Sequence, residues 1–202
     1  PSLCLGTFDL SVYEMVGAYS TFVNNGVWIE PVFITKIEDK NGVIIEEFTP
    51  KTQEAMSKET AALMVRLLQG VVDGVYSPEA KTTKGTGVRL RYKYKFTNEI
   101  GGKTGTTQNQ SDGWFIGITP NLVTGVWSGC DDRSVHFRDI YFGQGANMAL
   151  PIFAEYLQRV YKDTDVTKIY PTMFNIPKSI DLQLDCGEQI QATDGLYFEE
   201  EF

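Results

Sequence analysis

The residues best suited to chemistry lie in one run, Gly101-Gly-Lys-Thr-Gly-Thr-Thr107. On an extended chain alternate side chains share a face, so Thr104 and Thr106 present two hydroxyls that can grip one carboxylate together. Gly105 between them leaves the backbone open for a peptide to lie alongside. Lys103 adds a point charge that can orient the same anion, or hold a neighbouring hydroxyl acidic enough to move a proton. The run suits an anionic, strand-like ligand, with Lys103 as the catalytic candidate and Thr104, Gly105, Thr106 and Thr107 as substrate-binding candidates. A Lys-Thr-Gly triplet alone is weak evidence, because it also arises by chance and in turns.

Such a strand needs elements to hold it. Residues 99–104, 113–119 and 122–129 read as three strands, the last two joined by Pro120-Asn121, a connection short enough for antiparallel pairing. Upstream, Ser11-Val-Tyr-Glu14 has capping-box form, the apolar residues from Val12 to Val23 follow helical spacing, and Asn25-Gly26 stops the helix. A second helix starts at Ser57, carries Leu63, Met64, Leu67, Leu68, Val71 and Val72 on one side, and ends at Gly74. A third, over residues 147–161, places Leu150, Phe153, Ala154, Leu157 and Val160 against the sheet. Residues 31–38 and 43–48 flank Asp39-Lys-Asn-Gly42 and predict a hairpin. In residues 89–96, Arg and Lys alternate with Leu90, Tyr92, Tyr94 and Phe96, which predicts a strand with one solvated basic face. The order of elements implies an α+β fold with an antiparallel sheet and packed helices over residues 1–161. Residues 162–202 read as a tail or peripheral extension.

The chain has 202 residues, 42% hydrophobic and 22% charged, an ordinary globular composition. Its net charge of −8 and scattered acidic residues argue against nucleic acid or an anionic membrane as partner, the one basic cluster, Arg89, Arg91, Lys93 and Lys95, being local. No apolar run approaches the roughly 18 residues a membrane helix needs, so no span is expected within the chain. Cys4, Cys130 and Cys186 are widely separated and read as buried small residues; His136 reads as a loop histidine. Neither pattern supplies a metal site or a histidine-based triad, and no cofactor signature is present. Trp114 and Trp127, on adjacent strands, are expected in the core.

Four ordered stretches resemble the class A, bifunctional penicillin-binding proteins. They are Pro1 to Thr7 with Glu14-Met15, Gly17-Ala18-Tyr19, Phe22 and Asn25-Gly26; Gly85-Thr-Gly87; Gly102-Lys-Thr-Gly-Thr-Thr107 with Asp112-Gly-Trp-Phe-Ile-Gly117; and Val126-Trp-Ser-Gly129, Asp131-Asp132, Gly143 to Ala146 and Ala149-Leu-Pro151. The resemblance implies a penicillin-binding protein/serine β-lactamase-like fold and an extracytoplasmic enzyme that cross-links peptidoglycan stem peptides and is acylated by β-lactams. It also implies that Lys103 joins the site's charge network while Thr104 and Thr106 hold the substrate carboxylate.

That family also needs Ser-x-x-Lys, carrying the nucleophile, and Ser-x-Asn. None of Ser2, Ser11, Ser20, Ser57, Ser77, Ser111, Ser128, Ser134 and Ser179 has lysine three positions on or asparagine two positions on. Pro1 begins inside a family-like segment, at the place expected after Ser-x-Asn, so the expectation is a partial domain whose N-terminal half holds the nucleophile and whose parent carries an upstream membrane anchor. On that reading this chain alone is inactive, since binding groups without an activated serine form no acyl-enzyme. Two other readings are a non-catalytic peptidoglycan-binding or scaffold homologue and a serine β-lactamase.

Overall fold

The computed structural model describes residues 9–77, 82–163, 165 and 173–176. The first resembling stretch, Pro1 to Thr7, and Cys4, Cys186 and most of the expected tail lie outside them. Helix α1 (Val12–Val23) opens with the expected capping box: the Glu14 amide donates to Ser11 Oγ at 3.2 Å, and the Ser11 amide donates back to Glu14 Oε2 at 2.8 Å. Helix α2 (Lys58–Asp73) is capped by Ser57, whose Oγ accepts the Thr60 amide at 3.2 Å. Between them, β1 (Val27–Ile29) pairs with β4 (Thr52–Glu54), and β2 (Lys36–Glu38) pairs with β3 (Ile44–Glu47) in the predicted hairpin. The β1–β4 pair is an addition to the sequence reading, and residues 31–35 are not strand.

The core is an antiparallel sheet of β7 (Gly101–Thr106), β8 (Asp112–Ile118) and β9 (Val123–Gly129), in that order. Helix α5 (Ala149–Lys162) covers one face and α1 with α2 the other. Phe115, Leu150, Phe153 and Leu157 are buried between the sheet and α5, with the Phe115 and Phe153 rings 4.9 Å apart. Gly117 is what allows this close approach: a Cβ there would stand 2.3 Å from the Phe153 ring. On the opposite face a Cβ at Gly125 would meet Val12 and Val16 of α1, and one at Gly101 would meet Leu68 of α2. Among the described residues no helix is long and apolar enough to cross a membrane.

Several expectations fail on the tertiary contacts. Residues 89–96 are not a strand: α3 (Arg89–Tyr92) and a turn replace it, with Lys95 at φ 60°. Arg91 decides this, donating to Asp73 Oδ1 at 2.8 Å and to the Phe96 and Asn98 carbonyls at 3.0 and 2.6 Å, so its charge is bound rather than solvated. In α2 the buried positions are Ala61, Ala62, Val65, Leu68, Gln69 and Val72, while Leu67 is exposed, so the buried face is rotated from the expected one toward Ala61, Ala62 and Val65. The polar stretch after α2 holds a short ladder, β5 (Val75–Ser77) with β6 (Thr82–Lys84). Cys130 is exposed, because it follows β9 on a loop that none of the described residues covers. Trp127 is 39% exposed and Trp114 half-buried, since the helices stop short of that end of the sheet. His136 is exposed, as a loop histidine should be.

Candidate functional site

Strand β7 carries the sequence-predicted site, two residues later than its predicted span. It pairs with β8 from Gly101↔Ile118 to Thr106↔Gly113, and among the described residues with no other strand. Directly opposed residues of an antiparallel pair point to the same face. Thr104 lies opposite Phe115 and Thr106 opposite Gly113, so both threonines stand on the α5 side. Lys103 lies opposite Ile116, on the side of α1 and α2. The two hydroxyls share a direction, as the spacing requires; the ammonium approaches the strand's free edge from the other face.

Thr104 Oγ1 donates to Thr86 Oγ1 at 3.0 Å. The Thr86 hydroxyl then keeps its own proton to donate onward, so the site has three threonines rather than two. Thr86 is part of Gly85-Thr-Gly87, where the chain passes against the end of α2, the Gly87 amide donating to the Val71 carbonyl at 3.0 Å. Thr106 Oγ1 accepts the Gly145 amide at 3.0 Å, which fixes the oxygen and leaves the hydroxyl proton available to an anion. Position 145 must be glycine: a Cβ would lie 2.3 Å from the Gly105 carbonyl oxygen and 2.5 Å from that of Trp114. Gly145 follows α4 (Ile140–Gly143), and Arg89 of α3 holds the loop by donating to the Ala146 carbonyl at 2.7 Å and to Asn147 Oδ1.

Lys103 is exposed, donates to its neighbour's Thr104 carbonyl at 2.7 Å, and faces no carboxylate within salt-bridge distance among the described residues. Thr107 behaves differently. It accepts the Asp112 amide at 3.1 Å and lies 2.9 Å from Ser111 Oγ, closing the turn from β7 to β8. That turn places Asn109 and Gln110 at φ 58° and 56°, in the left-handed region. Asp112 is buried, and its Oδ1 has no hydrogen-bond partner among the described residues. The sequence reading missed Thr86 and Gly145 as site residues; the Gly-Thr-Gly triplet was the available signal for the first and the resembling stretch Gly143 to Ala146 for the second, but only the folded loop shows the Gly145 amide on Thr106.

A three-stranded antiparallel sheet between helices, with a Lys-Thr-Gly strand whose hydroxyls line an open edge, defines the penicillin-binding protein/serine β-lactamase-like class of fold. Residues 2–127 match the penicillin binding protein transpeptidase domain, and the chain belongs to that family. It is 34% identical over 177 residues to penicillin-binding protein 1A of Aquifex aeolicus, which covers 87% of this chain and 21% of that protein. It is 30% identical over 171 residues to penicillin-binding protein 2D of Bacillus subtilis, covering 85% of this chain and 23% of that one. The crystal structure of penicillin-binding protein 1A from Haemophilus influenzae matches with a TM-score of 0.72 at 27% identity, over 88% of this chain and 29% of that one. The chain thus spans between a fifth and a quarter of the length of these curated relatives.

Proposed function

We propose that this chain is the carboxylate-binding wall of a serine-type D,D-transpeptidase acting on peptidoglycan stem peptides outside the cytoplasm, with β-lactams as competing ligands. The observation that carries the reading is the edge strand β7, where the Thr104, Thr106 and Thr86 hydroxyls gather on one face and the Lys103 ammonium approaches from the other. An extended peptide ending in a carboxylate can add along that edge through main-chain hydrogen bonds, with its terminus in the hydroxyl cluster. Gly105 keeps the approach clear, and Thr107 supports it by holding the turn.

No serine of these 202 residues has lysine three positions on, so the reading assigns the nucleophile to no residue of this chain. Lys103 therefore supplies charge and a proton-network contact rather than a covalent step. Incubating the chain with a penicillin and weighing it intact is the direct test: the expected mass is unchanged, and a stoichiometric adduct on any of its serines overturns the reading. The same absence is the one observation favouring a non-catalytic scaffold. A parent protein with an intact Ser-x-x-Lys that is acylated by penicillin disposes of that alternative.

A further inference from the structure

Residues 173–176 come back against the sheet after α5, at the end remote from the threonines. Phe174 and Ile176 are half-buried on the cluster of Val65, Leu68 and Ile118. Those last two residues are the ones that enclose the first residue of the Lys-Thr-Gly strand: Ile118 is its ladder partner, and a Cβ at Gly101 would sit 3.0 Å from Leu68. The Phe174 amide also donates to Glu99 Oε2 at 2.6 Å. Glu99 stands two positions before β7, with Ile100, fully buried, between them.

The approach to β7 is tethered twice more. Arg91 of α3 holds the Asn98 carbonyl at 2.6 Å, and Asn98 Nδ2 donates to the Tyr161 hydroxyl of α5 at 2.8 Å. The segment 173–176 is the third tether, and it also walls a cavity of about 280 Å³ against Phe22, Val23, Ala62 and Val65. Among the described residues it is held by the charge-assisted hydrogen bond to Glu99 and by the Phe174 and Ile176 side chains, while Met173 remains exposed.

We infer that residues 173–176 form a strap that sets the position of the Lys-Thr-Gly strand by fixing Glu99 and the Leu68–Ile118 seat of Gly101. Glu99 and Phe174 are thereby positioning residues; neither touches the ligand. The strap stands independently of carboxylate binding, and only its consequence for ligand affinity rests on that reading.

Amide hydrogen exchange on this chain tests the strap without any ligand. Glu99→Ala, which removes the acceptor of the Phe174 amide, accelerates exchange across residues 101–106 about tenfold, as losing a hydrogen bond to a charged group implies; Phe174→Ala, which keeps that amide but removes the ring seated on Leu68 and Ile118, accelerates it in the same direction, and both leave β9 unchanged. Glu99→Gln, which keeps an acceptor oxygen in place, restores most of the protection, and Phe174→Leu does so in part. Equal acceleration in β7 and β9, or no change in β7, overturns the proposal. The same Glu99→Ala change in a parent protein carrying the nucleophile separates the two readings. Loosened β7 with unaltered penicillin acylation refutes the carboxylate-binding role and keeps the strap; unaltered β7 protection refutes the strap whatever acylation does.

Discussion

The sheet layer and the hairpin lobe contain the same kinds of residue in the same local pattern and come to opposite ends. Both are β-branched and aromatic runs joined by turn residues. In β8, Phe115 and Ile118 have no exposed surface, whereas every residue of β2 and β3 is exposed and Phe33 is 89% exposed. The difference is the second layer. The sheet lies between α5 and the α1–α2 pair, while the segment leading into the hairpin meets α1 at Tyr13, which stacks on Phe33 at 5.6 Å and donates to the Pro31 carbonyl at 2.5 Å. A local pattern makes a strand; burial on both faces makes it a support rigid enough to hold a binding edge.

That contrast predicts a graded series. Phe153→Ala, which opens a cavity beneath Phe115 and Gly117, should cost about 3–5 kcal/mol in urea unfolding, the usual range for an aromatic removed from a packed core. A loss below about 1 kcal/mol would mean the sheet is no better packed than the hairpin. Thr106→Val strands the Gly145 amide and should cost about 1–3 kcal/mol by the same measurement. In a parent protein able to acylate, it should also slow penicillin acylation, where a stability defect alone would not.

Ser11→Ala removes the α1 cap and should lower stability by about 1 kcal/mol. Its partner Glu14 gives the step a pH signature. Hydrogen bonds from the Ser11 amide first, and from its hydroxyl second, hold the Glu14 carboxyl below the usual glutamate range. A depressed folded-state value contributes stability that is present above the ordinary glutamate range and lost as pH falls through the lowered one. The melting-temperature advantage of wild type over Glu14→Gln should therefore shrink on acidification through that window; a constant or growing gap would contradict the assignment. Smallest of all, Ile45→Thr on the hairpin should shift stability by no more than about 0.5 kcal/mol, and a cost comparable to Phe153→Ala would break the comparison outright.

The Lys-Thr-Gly strand, the capping box at Ser11, the cap at Ser57, the hairpin turn at Asp39 to Gly42 and the antiparallel order of β7, β8 and β9 were all legible in the sequence. Each rests on interactions between residues close in the chain, or on a side-chain period that any extended segment obeys. The two hydroxyls of Thr104 and Thr106 had to share a face for that reason alone. Residues 89–96 obeyed the same period and still became a helical turn, because Arg91 found Asp73 and the Asn98 carbonyl, partners that no local pattern announces. Trp127 and Cys130 were likewise misplaced, since whether a strand's end is covered depends on where the helices stop. Tertiary structure alone brought Thr86 to Thr104 and set the Gly145 amide on Thr106. Those contacts join residues 18 to 39 positions apart along the chain, where packing rather than sequence spacing decides what meets.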